Sequence, residues 1–79
     1  MDYVYLLQSE TFPERYYCGL TGDLKARLKL HNAGQSIHTA KFRPWKISSY
    51  FAFSDRKKAV AFELYLKTAS GRAFAKKRL

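Results

Sequence analysis

A chain of 79 residues, 47% hydrophobic and 16% aromatic, has enough apolar surface for one core and no length for a second domain. Fifteen Lys and Arg against six Asp and Glu leave a formal charge of +9, which draws polyanions: nucleic acid first, anionic membrane second. The single cysteine, Cys18, excludes an internal disulfide framework, and one Cys with two histidines, His31 and His38, excludes a zinc site of the usual kind. No basic-then-apolar leader opens the chain, and no run approaches the roughly 18 apolar residues of a membrane span. The expectation is a cytoplasmic protein, one domain over residues 1–79, with nucleic acid and not membrane as its partner.

Tyr3-Val4-Tyr5-Leu6-Leu7 is aromatic and β-branched and predicts a strand. Ser9 to Glu14 is polar, contains Pro13, and predicts the connection of a hairpin whose returning strand is Tyr16 to Leu20. Gly19 within that strand marks a bulge or a place where another group must reach the backbone. Asp23 is placed to cap a helix from Leu24 to Asn32, closed by Gly34 or Asn32 in the left-handed conformation. Gln35 to Pro44 reads as a surface loop. Trp45 to Phe53 alternates, with Ile47, Ser49, Phe51 and Phe53 expected on one face of a third strand. Asp55 caps a second helix running to about Ala69, Ser70-Gly71 interrupts it, and Arg72 to Leu79 forms a short basic helix or a frayed end. The order ββαβαα predicts an α+β fold with a small three-stranded antiparallel sheet flanked by helices.

Three groups of residues fit poorly with a bland domain. A helical wheel puts Arg27 and His31 on the stripe of Leu24 and Leu28, which should face the protein, while Lys25 and Lys29 point away. Charge on an inner edge needs partners; the plain alternative is an arginine snorkelling beside a satisfied histidine. Glu63 is the only charge in Ala59-Val60-Ala61-Phe62-Glu63-Leu64-Tyr65-Leu66. It either pairs with Lys67 one turn on, worth about 0.2–0.5 kcal/mol, or offers one hard oxygen to a divalent cation. Tyr3 and Tyr5 share one face of the first strand and Tyr16 and Tyr17 point to opposite faces, so at most one of each pair serves a common cleft. Cys18 reads as a small hydrophobe in the sheet.

Taken in order, Tyr3-Val4-Tyr5, then Tyr17-Cys18-Gly19, then Arg27-x-x-x-His31 on a helix, then Glu63 on the next helix, the pattern resembles the GIY-YIG nuclease family. It is most similar to short stand-alone bacterial members related to the nuclease domain of the excinuclease C subunit, and the likeness runs from Asp2 to about Lys76. It implies a metal-dependent endonuclease hydrolysing phosphodiester bonds, with DNA ahead of RNA as substrate. By position, Glu63 would hold one Mg²⁺ or Mn²⁺. Tyr5 would be the general base or orient the attacking water, with Tyr17 in the same network. Arg27 would bind the scissile phosphate and His31 would tune the tyrosine or relay its proton. Arg27, His38, Lys41, Arg43 and Lys67 are the expected contacts to nucleic acid. The chain departs from the family pattern at Tyr3, in place of the first glycine, at Leu20, where a lysine is usual, and at Phe74-Ala75-Lys76, which offers no asparagine. The competing reading is a non-catalytic basic nucleic-acid-binding module that retains the fold. A protein partner or a homodimer is the further assembly that so small a chain invites.

Overall fold

Four consecutive buried residues, Val4, Tyr5, Leu6 and Leu7, place β1 (Asp2–Ser9) at the centre of the protein, covered on both faces. The computed structural model describes residues 1–79. It pairs β1 antiparallel with β2 (Tyr16–Thr21) on one side and with β3 (Trp45–Phe53) on the other, in the order β2-β1-β3. The helices are α1 (Leu24–Asn32), α2 (Arg56–Leu66) and α3 (Ala69–Arg78), with one 3₁₀ turn at Ala40–Phe42. The ββαβαα order and the α+β class are as the sequence predicts. No helix is long and apolar enough to cross a membrane.

Alternation along β1 splits the core in two. Val4 packs with Ala59 and Leu66 under α2 and α3, joined by Cys18, Leu20, Phe53 and Phe62. Tyr5 and Leu7 pack with Trp45 on the opposite face, against Leu24 and Leu28 of α1 and Tyr17 of β2. The third strand does not keep one face throughout. Leu6 opposes Ser49 but Leu7 opposes Ile47, so Ser48 is an extra residue and the ladder bulges there. The bulge sends Ile47 to the α1 side and leaves Phe51 and Phe53 on the α2 side, where an unbroken alternation would have kept them together. One inserted residue lets a single strand supply both cores.

The helix ends follow local chemistry. Asp23 accepts from the Ala26 amide at 3.0 Å and Asp55 from the Lys57 amide at 2.9 Å, each satisfying a donor the helix itself cannot. Gly34, at φ 76°, ends α1 with Gln35 N–H on Leu30 O and Gly34 N–H on His31 O, a Schellman pair. The break between α2 and α3 falls at Lys67-Thr68, earlier than the sequence suggests. Thr68 is the reason: its hydroxyl accepts from the Gly71 amide at 3.0 Å and donates to Tyr65 O at 2.6 Å, so it caps α3 while closing α2. Gly71 therefore sits in the first turn of a helix. A Cβ there would overlap the Tyr65 carbonyl, so its role is the close approach of two helix ends.

Gly71→Ala has to push backbone from backbone, and is expected to lower stability by about 1–3 kcal/mol. Gly22→Ala, whose added Cβ meets nothing within 4 Å, should stay within about 0.5 kcal/mol of the parent. Urea denaturation of both variants checks the pair, and equal effects would contradict this account of the α2–α3 corner.

Candidate active site

Antiparallel pairing sets Tyr5 opposite Gly19 and Leu7 opposite Tyr17, so Tyr5 and Tyr17 share the α1 face of the sheet as diagonal neighbours. Their ring centroids are 6.5 Å apart. Gly19 makes this possible: a Cβ at that position would overlap the Tyr5 phenol oxygen. Of the two readings of Gly19, close approach is the one realised, and the bulge lies on β3.

His31 reaches this face from the last turn of α1 and is 2% exposed. Its Nε2 lies 3.0 Å from the Tyr5 hydroxyl and its Nδ1 lies 2.7 Å from Thr39 Oγ1. A neutral imidazole has one N–H and one bare nitrogen, so one of the two hydroxyls donates to the ring and the other accepts from it. Tyr17 stacks obliquely over the same imidazole at 5.1 Å. Burial holds His31 below its usual 6.5, and the Arg27 guanidinium adds to the effect. Burial also pushes the Tyr5 phenol up to about 12, helped by the nearby Tyr17 and opposed by Arg27. Both groups are therefore neutral near pH 7. Tyr5, Tyr17, His31 and Arg27 come together as one cluster, with Arg27 exposed at its edge.

Glu63 belongs to the other layer. It sits on α2 with its side chain 12% exposed, and its Oε2 is 2.5 Å from Lys67 Nζ. This i,i+4 pair raises Lys67 above its usual 10.5, chiefly through the hydrogen bond. Lys67 also feels Tyr17 and Cys18, so the pair stands beside β2. Burial and then the Glu63 charge push the Cys18 thiol up to about 11, which keeps it an unreactive packing group. No cluster of three or more His, Cys, Asp or Glu exists. The donor set is one carboxylate, which suits a small hard cation that keeps its waters and shares the phosphate of a substrate. It does not suit a closed cage.

The expected nucleic-acid contacts are dispersed. His38 is exposed on the loop after α1, the Lys41 ammonium lies 5.9 Å from the centre of the Phe42 ring, and Arg43 lies against Gly34. Lys67 is committed to Glu63. Sequence reasoning missed Thr39, which is fully buried within a run that reads as surface loop. Trp45 Nε1 donates to Thr39 O at 2.8 Å, and Asn32 clamps the Trp45 backbone through Nδ2 to O at 3.0 Å and Oδ1 to N–H at 2.6 Å. The one signal for Thr39 was indirect: a buried histidine needs a partner for its second nitrogen.

Residues 1–78 match the family model described as the GIY-YIG catalytic domain. The chain is 42% identical over 67 residues to the structure-specific endonuclease subunit SLX1 of Scheffersomyces stipitis, covering 76% of this chain and 20% of that one. It is 38% identical over 53 residues to a UPF0213 protein of Lacticaseibacillus paracasei, covering 66% of this chain and 60% of the relative. A UPF0213 protein of Clostridium perfringens is 34% identical over 68 residues, covering 85% and 71%. The chain thus spans a fifth of the first relative and less than two thirds of the second. No solved structure gives a significant match.

Two measurements probe the buried cluster. Thr39→Val leaves an imidazole nitrogen unpaired in the core and should cost about 1–3 kcal/mol of stability. Because His31 is held below 6.5, the unfolded chain takes up the proton first, so stability present above pH 6.5 is lost as pH falls. Unfolding free energy should decline from pH 7 to 5, with a shallower slope in His31→Gln; identical slopes would mean that His31 is not held neutral.

Proposed function

The chain belongs to the GIY-YIG catalytic domain family, a family of nucleases, and on that premise we propose that it is a divalent-metal-dependent endonuclease hydrolysing phosphodiester bonds in DNA. The whole chain, 1–79, acts as the nuclease domain, in the cytoplasm. The observation that carries the reading is the convergence of Tyr5, Tyr17, Arg27 and His31 on one face around a buried hydrogen bond. Arg27 stands exposed at the edge of this neutral tyrosine–histidine pair, open to an anionic substrate.

Glu63 would hold Mg²⁺ or Mn²⁺ through one carboxylate oxygen, once Lys67 has swung off it. When bound, such a cation offsets the negative charge that grows on the phosphate as the bond breaks. Arg27 grips non-bridging phosphate oxygens with its planar fork. Tyr17, only half-buried, is the phenol that meets the attacking water and, as phenolate, takes its proton. Tyr5, the more deeply buried phenol, stays protonated and fixes the His31 ring, so its part is to orient rather than to accept. His31 in turn presents its face to Tyr17.

One observation favours the non-catalytic alternative: Lys67 already neutralises Glu63. Under that reading the pair is permanent, and the protein binds nucleic acid without cutting it. A relative named as a subunit, of which this chain spans a fifth, supports a protein partner or a second copy for substrate selection.

Single-turnover cleavage of labelled duplex, branched and single-stranded DNA, with RNA counterparts, separates the two readings. The nuclease reading expects cleavage with Mg²⁺ or Mn²⁺ and none with chelator. Glu63→Gln should abolish cleavage without lowering the melting temperature by more than a few degrees. Arg27→Lys, which keeps the charge and loses the fork, should cost about 10²–10³ in rate. Undiminished cleavage in Glu63→Gln would remove the metal role from that residue, and binding without cleavage of any substrate would establish the alternative.

A further inference from the structure

Between the hairpin side of β2 and the α2–α3 corner lies an open groove of about 1070 Å³. Lys67, Arg72 and Lys76 contribute from the helical wall, while Arg15 on the hairpin wall lays its guanidinium over the Phe42 ring at 4.7 Å. Glu14 is the only acidic side chain along it. The ion pairs of the protein are Arg56 with Asp2 and Lys67 with Glu63, so Arg15, Arg72 and Lys76 have no carboxylate partner. The floor is apolar, formed by Leu6, Leu66 and Ala75, and Tyr16 stands at the rim, 57% exposed. Tyr17 also lines the groove, which joins it to the cluster described above.

We propose that this groove, and not the loop carrying His38, Lys41 and Arg43, is the track for a single-stranded nucleic-acid segment leading to the site. The inference rests on the nucleic-acid side of the proposed function. The cations of the helical wall match one phosphate backbone. An apolar floor and an exposed phenol ring give nothing to a duplex, whose bases are stacked inward and whose phosphates face out. They suit a single strand, whose base faces are free to stack and to be covered. The substrate class is therefore a nucleic acid with an unpaired arm or end, held in the groove while the scissile phosphate lies near Tyr17 and Arg27.

Fluorescence anisotropy in chelator, with a labelled single-stranded oligonucleotide and a hairpin duplex of the same sequence, tests this without any need for cleavage. The wild type should bind the single strand more tightly than the duplex. Arg72→Ala with Lys76→Ala should weaken single-strand binding about tenfold or more and flatten the slope of log K against log salt by about 1.4. Tyr16→Ala should weaken it about tenfold with no change in that slope. Lys25→Ala with Lys29→Ala removes the same charge from the outer face of α1 and should change binding by less than about threefold. Circular dichroism confirms that each variant is folded. Equal losses for the two double variants, or a duplex bound as tightly as the single strand, would overturn the groove assignment. Binding as described but with no cleavage in metal would leave the groove standing and remove the enzyme.

Discussion

The hydrogen bond between the Tyr5 hydroxyl and His31 Nε2 is the contact on which the α1 face of the protein depends. It can form only because Gly19 leaves room for the phenol to cross β2. It needs α1 to end where it does, with His31 in its last turn and Gly34 turning the chain away. It also needs Thr39 on the far nitrogen, and Thr39 is held by the Trp45 indole, whose own backbone is clamped by Asn32. A buried imidazole with either nitrogen unpaired would cost more than one exposed to water. The loop after α1 is consequently drawn into the core at Thr39 while its basic residues remain outside.

The second constraint lies on the other side of the sheet. Glu63 is nearly covered, and a covered carboxylate needs a cation. Lys67 supplies it, one helical turn away, and lies at the edge of β2 next to Tyr17. The sheet edge thus separates a neutral, hydrogen-bonded cluster from a charged pair, with Tyr17 within reach of both. A substrate phosphate arriving at that edge would meet Arg27 on one side and Lys67 on the other. The proposed chemistry draws on both layers.

Much of this was legible in the residues. Three strands, the α1 boundaries and the two aspartate caps follow from composition and spacing, because Asp23, Asp55 and the β-branched runs act locally. The family pattern selected Tyr5, Tyr17, Arg27, His31 and Glu63, and the geometry unites the first four. What escaped the sequence was set by tertiary contact. The Ser48 bulge is invisible in an alternation that reads correctly on either side of it. Gly71 looks like a breaker, although the breaking chemistry belongs to Thr68. Thr39 sits in a polar run, and only the fold reveals that it faces inward. The difference in burial between the tyrosines, on which the proposed division of labour rests, is not announced by two similar tyrosines in paired strands.

The central claim is that Tyr5 orients and Tyr17 reacts. The most direct measurement is single-turnover cleavage by Tyr5→Phe and Tyr17→Phe, each compared with its own melting temperature. The account predicts that Tyr17→Phe loses about 10² or more in rate with stability nearly unchanged, since the residue is only half-buried and its hydroxyl leaves no buried group unpaired. Tyr5→Phe should lose stability by about 1–3 kcal/mol and rate to a smaller extent, because an imidazole nitrogen is left unpaired. Near-wild-type cleavage by Tyr17→Phe, with cleavage abolished in Tyr5→Phe, would contradict it.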